Sequence, residues 1–76
     1  MEIGIINGPN LDRLGKREPE VYGHATLADL EAQITAHAKK AGVKTRFFQS
    51  NHEGKLIDTI AKWADDGVKF LVINPG

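Results

Sequence analysis

The hydrophobic pattern of this chain changes period four times in 76 residues, and the order of those changes limits the fold more than any other property. Glu2 to Asn7 reads as a short β-branched strand, with Ile3, Ile5 and Ile6, and stops at a Gly-Pro-Asn turn signal. Thr26 then opens a helix: it is an N-cap residue with acidic Asp29 three positions on. Leu27, Leu30, Ile34, Ala38 and Ala41 follow on one face, and Gly42 closes the helix. Residues 43–49 form a second strand, with Val43, Thr45 and Phe47 on one side and Lys44 and Arg46 on the other. Ser50-Asn51-His52-Glu53-Gly54 is a turn leading into a second helix, whose expected buried face is Leu56, Ile57, Ile60, Ala61 and Ala64 and whose stop is Gly67. Residues 70–73 (Phe-Leu-Val-Ile) are continuously apolar, as a central strand covered on both faces would be.

The result is β-α-β-α-β, an α/β fold of parallel strands joined by right-handed crossovers. The polar alternation of Lys44 and Arg46 suits an edge strand, so the expected strand order is 2-1-3. That order sets the C-terminal ends of strands one and three side by side at a topological switch point, where open α/β sheets bind ligands. Residues 7–10 leave one strand there and residues 74–76 leave the other, so two asparagine-bearing loops converge on one crevice. Residues 1–76 read as a single unit without repeats or low-complexity segments.

Ten Lys and Arg balance ten Asp and Glu, and the charges are interspersed, which leaves no electrostatic footprint for nucleic acid or an anionic membrane. The densest basic group includes Lys39 and Lys40, which fall in the last turn of a helix and complement its dipole. There is no cysteine, no basic segment leading into an apolar run, and no stretch of about 18 apolar residues. A soluble, unexported, cytoplasmic protein is expected. A chain this short buries only a modest core, so its stability is expected to be marginal.

The segment from residue 11 to 25 is long for a connection inside a compact domain, as functional lids and disordered segments are. It carries Arg17 and Tyr22, with Gly15 and Gly23 at its flanks as hinges and Pro19 stiffening its middle. A tyrosine titrates near pH ~10, so it acts as a base at neutral pH only where a positive charge stabilises its phenolate. Arg17 is a permanent cation five positions away.

The strings INGPNLDRLGKREPEVYG, FFQSNHEG and VINPG together resemble the type II 3-dehydroquinases, and the resemblance runs from Met1 to Gly76. It implies a flavodoxin-like sheet with helices on both faces, of which this chain would be the N-terminal half. It also implies a lyase activity: dehydration of 3-dehydroquinate to 3-dehydroshikimate by anti elimination through an enolate, in the shikimate pathway of aromatic amino acid biosynthesis. By the same resemblance, Tyr22 is the catalytic base, and Arg17 lowers its pKa and stabilises developing charge. Asn10 positions water and polar groups near the enolate oxygen, and Asn74 hydrogen-bonds the substrate. The family's general-acid histidine and late arginine lie in the half that follows, so the 76 residues alone are expected to be inactive. A homododecamer built from trimers is implied for the full-length protein. One departure is Asp12-Arg13, where the family often has Asn-Leu.

Each of these residues has a plainer reading as well. Asparagine beside proline is ordinary turn chemistry, a lone loop arginine is usually solvated, and a loop tyrosine commonly lies over apolar surface. His37 falls on a polar helix side, while His24 and His52 are loop residues without metal-ligand spacing, so neither a metal nor a cofactor is expected. The rival function is a non-catalytic flavodoxin-like module or an inactive fragment. A receiver would need an acidic cluster after the first strand and a flavin binder a Ser/Thr-rich loop, whereas the chain has Asn7-Gly8-Pro9-Asn10.

Overall fold

A computed structural model of the chain describes residues 1–15 and 25–75. Three parallel strands form one sheet: β1 (Glu2–Asn7), β2 (Lys44–Gln49) and β3 (Phe70–Asn74), in the order β2-β1-β3. Two helices connect them, α1 (Leu27–Lys40) and α2 (Glu53–Asp65). The expected 2-1-3 order is therefore observed. β1 occupies the centre, and Ile5, Ile6 and Asn7 on it are almost fully buried.

The ends of α1 are set by local chemistry. Thr26 accepts a hydrogen bond from the Asp29 N–H at 3.1 Å, and the Asp29 carboxylate accepts one from the Thr26 N–H at 2.9 Å, which completes a reciprocal capping box. At the other end Gly42 adopts φ 73°, a left-handed conformation that a side chain would disfavour. Nothing on α1 is fully buried; Leu30 and Ile34 each remain 37% exposed.

The inner face of α2 differs from the sequence expectation. Leu56 and Ile60 pack half-buried against the core as expected, but Ile57 is 59% exposed and Ala61 and Ala64 are exposed too. The centre of the contact is instead Trp63, which packs with Ile6 and Val68. The reason lies on β1. A Cβ at Gly4 would come within 2.5 Å of the Trp63 ring, so the missing side chain opens a flat seat for the indole on the central strand. Seating the ring rolls the helix so that the stripe 56, 60, 63 faces the sheet, an i, i+4, i+7 series.

The apolar run of β3 is not covered on both faces among the described residues. All five of its residues are exposed, and it forms an edge beside β1. At the opposite edge, Arg46 ties three elements together: its Nε donates to Glu2 at 2.7 Å and its NH1 to Asp66, just past α2, at 2.8 Å. Those hydrogen bonds, to Glu2 first and then to Asp66, raise the guanidinium pKa further above its ordinary value.

Candidate functional site

The C-terminal ends of the three strands carry Gln49, Asn7 and Asn74, which sit in register across the sheet. Adjacent in-register positions in parallel strands project to the same face, so the sheet ends in a row of three carboxamides. The row is cross-linked. Asn74 Nδ2 donates to Asn7 Oδ1 at 2.9 Å, and Gln49 Nε2 donates to the Gly8 carbonyl and to Asn51 Oδ1, both at 3.2 Å. Asn7 is only 4% exposed.

The two loops that the strand order brings together do meet. The Gly8 N–H donates to the Asn74 carbonyl at 2.8 Å, extending the β1–β3 ladder past the end of β1. A Cβ on Gly8 would lie 2.6 Å from the Pro75 carbonyl oxygen, so only glycine lets the Gly-Pro-Asn and Asn-Pro loops approach so closely. Beside this junction a cleft of about 330 Å³ opens over the sheet, its floor and walls made by Ile6, Leu56, Ile60 and Ile73 and its rim by Gly8, Pro9, Glu53, Asn74 and Pro75. It is an apolar cleft with polar groups at the mouth, the usual composition of a small-molecule site.

Asn10 is exposed and left-handed, with φ 69°, at the start of a single 3₁₀ turn (Leu11–Arg13). Its backbone N–H donates to Asn51 Oδ1 at 2.8 Å, and its side chain makes no capping bond to the turn it precedes, which leaves the carboxamide directed to no described partner. Asn10 and Asn74 thus stand on the two loops that meet at the switch point. Arg17 and Tyr22, and residues 16–24 of the expected lid, lie outside the described residues, as does Gly76. His37 and His52 are exposed, the latter preceding α2 without a side-chain capping bond. Among the described residues no cluster of three or more His, Asp or Glu side chains could hold a metal, and no helix is long and apolar enough to cross a membrane.

Sequence reasoning did not single out Asn7, Gln49 and Asn51. Their residue type is ordinary in loops and strand ends, and the signal that could have found them is positional: each is at or just beyond the C-terminal end of β1 or β2, at the end of the sheet where the switch point lies.

A parallel α/β sheet with a cleft beside the meeting ends of β1 and β3 has the arrangement in which open α/β sheets bind ligands. The sequence profile of one family, Dehydroquinase class II, matches residues 1–76, and the chain belongs to that family. It is 57% identical over all its 76 residues to the 3-dehydroquinate dehydratase 2 of Corynebacterium efficiens, covering 52% of that protein. With the 3-dehydroquinate dehydratase of Herminiimonas arsenicoxydans it shares 58% identity over 97% of this chain and 51% of the relative. The crystal structure of type II dehydroquinase from Butyrivibrio crossotus superposes with a TM-score of 0.93 at 42% identity, over 100% of this chain and 52% of that one. The Propionibacterium acnes type II dehydroquinase gives 0.87 at 39% identity, over 99% and 51%. The chain therefore spans about half the length of the relatives it matches, and its fold is the flavodoxin-like fold expected from the sequence.

Proposed function

We propose that this chain furnishes the proton-abstracting half of a 3-dehydroquinate dehydratase. The supporting observation is the junction of the Asn10 and Asn74 loops: the Gly8–Asn74 bond of 2.8 Å ties the loop that carries Asn10 to the strand end that carries Asn74, beside a cleft that Asn74 lines, in a chain of the class II dehydroquinase family.

In this reading Tyr22, as phenolate, removes a proton from the carbon beside the substrate ketone, and the C–H electron pair moves into an enolate. The ketone is itself the electron sink, so neither a metal nor an organic cofactor is needed for this step. The enolate then collapses, the C–O bond on the opposite face breaks, and the departing hydroxide takes a proton to leave as water. The Arg17 guanidinium favours the phenolate and stabilises the developing negative charge when the residue 11–25 segment closes as a lid. Asn10 holds water and polar groups near the enolate oxygen, and Asn74 hydrogen-bonds a substrate hydroxyl or carbonyl, since a carboxamide both donates and accepts. The general acid that protonates the leaving hydroxide belongs to the portion of the relatives that this chain does not match. The complete protein would work in the cytoplasm, within the shikimate route to aromatic amino acids, as a homododecamer built from trimers.

The test is a chimaera in which residues 1–76 replace the matching half of the Corynebacterium efficiens 3-dehydroquinate dehydratase 2. Saturable formation of the enone product from 3-dehydroquinate is the expected result. A folded chimaera that leaves 3-dehydroquinate unchanged would overturn the reading.

A further inference from the structure

Asn7 belongs to no role assigned above, yet it is the most deeply buried polar residue described, at 4% exposure. Burying a carboxamide is unfavourable unless its polar atoms find partners. The Asn7 side-chain oxygen finds one: the Nδ2 of Asn74, at 2.9 Å, on the neighbouring strand and in register. Asn7 is also fixed by its backbone, because its carbonyl accepts the Ser50 N–H at 3.1 Å and its strand is central. Asn74 is exposed on an edge strand at the rim of the cleft. The bond therefore joins a rigid acceptor to a residue that would otherwise be free to rotate.

We infer that Asn7 is a positioning residue, which sets the rotamer and the end-to-end orientation of the Asn74 carboxamide. This rests on the dehydratase reading for the substrate but on geometry for the pairing. A free asparagine side chain samples both amide orientations and must be ordered when a ligand binds. With one Nδ2 hydrogen committed to Asn7, the Asn74 Oδ1 is left as a fixed acceptor and the second Nδ2 hydrogen as a fixed donor, both held in one orientation toward a ligand. Prior ordering of one side chain is worth roughly two- to tenfold in apparent affinity.

The experiment uses the chimaera described above as wild type, with Asn7→Leu, Asn7→Asp, Asn74→Ala and the double variant Asn7→Leu/Asn74→Ala. Each protein is melted without ligand and assayed with 3-dehydroquinate. Asn7→Leu, of similar size but without an acceptor, is expected to raise KM roughly two- to tenfold with a smaller change in kcat. Asn7→Asp keeps an acceptor in place and recovers most of that KM even if its melting midpoint falls. In the double variant the losses are expected not to add, in both the melt and kcat/KM, because Asn7 acts through Asn74. Additive losses in the melt would overturn the pairing. Coupled melts with additive kcat/KM losses, or an Asn7→Asp no better in KM than Asn7→Leu, would reduce Asn7 to a structural residue and overturn the inference. An inactive wild-type chimaera with coupled melts would sink the dehydratase reading while supporting the pairing, and inactivity with additive melts would sink both.

Discussion

The side-chain oxygen of Asn51, two residues beyond β2, accepts the backbone N–H of Asn10 at 2.8 Å, and so pins the loop after β1 to the loop after β2. Asn10 needs such a hold because it sits in a left-handed conformation that non-glycine residues adopt at a cost. Asn51→Ala removes the acceptor both of this bond and of the longer one from Gln49; loss of the Asn10 bond, at ~1 kcal/mol, is expected to lower kcat/KM of the chimaera by about fivefold, with little change in melting temperature. Steady-state kinetics beside a thermal melt will check it; a large fall in melting temperature without a kinetic effect would make the bond merely structural.

Gly8→Ala is a stricter probe of the crevice. The added methyl would meet the Pro75 carbonyl oxygen at 2.6 Å, so the two loops must separate. Overpacking of this kind typically costs ~1–3 kcal/mol, and parting Asn10 from Asn74 should also reduce kcat/KM. Wild-type kinetics and an unshifted melt for this variant would show that the close approach is unimportant.

Trp63 should dominate the stability of the sheet–helix contact. Trp63→Ala removes the largest side chain of the small core, and losses of ~3–5 kcal/mol are typical, which a chain of this size would not survive folded. Gly4→Ala should be destabilising for the same reason from the other side, because its methyl enters the space of the indole. Circular dichroism of the two variants is the measurement. A Gly4→Ala chain as stable as wild type would contradict the seat that we describe for Trp63.

These contacts also explain how far the sequence could be read. The limits of α1 were legible because Thr26, Asp29 and Gly42 act locally, each within a few residues of the bond or dihedral it controls. The order 2-1-3 was legible because Lys44 and Arg46 mark β2 as an edge, and the meeting of the Asn10 and Asn74 loops follows from that order. The roll of α2 was not, since it depends on Gly4, a residue remote in sequence whose significance is an absent side chain. For the same reason Asn7 was overlooked: its partner Asn74 is 67 positions away, and nothing local separates a positioning asparagine from a turn asparagine.

The β3 edge makes a prediction about the 76 residues by themselves. Phe70, Val72 and Ile73 are about half exposed, at 55%, 49% and 52%, on a strand whose outer side is unpaired among the described residues. Such an edge invites pairing with another chain. The isolated polypeptide should self-associate or stay loosely packed, and Leu71→Lys should raise the monomer fraction while weakening the sheet, because Leu71 also lies against the Gly4 position. Analytical sedimentation with calorimetry decides this: a monodisperse wild-type monomer with a sharp cooperative melt would refute it.

The central claim is that Tyr22 abstracts the proton, and it is tested most directly by the turnover of 3-dehydroquinate in the chimaera carrying Tyr22→Phe. The exchange removes only the hydroxyl, so the account predicts that kcat falls by ~10²–10⁴-fold or more while the melting temperature is retained. Arg17→Ala, measured alongside, should move the ascending limb of the pH–rate profile to higher pH, because a phenol without its neighbouring cation ionises later. Near-normal turnover by Tyr22→Phe would contradict the account.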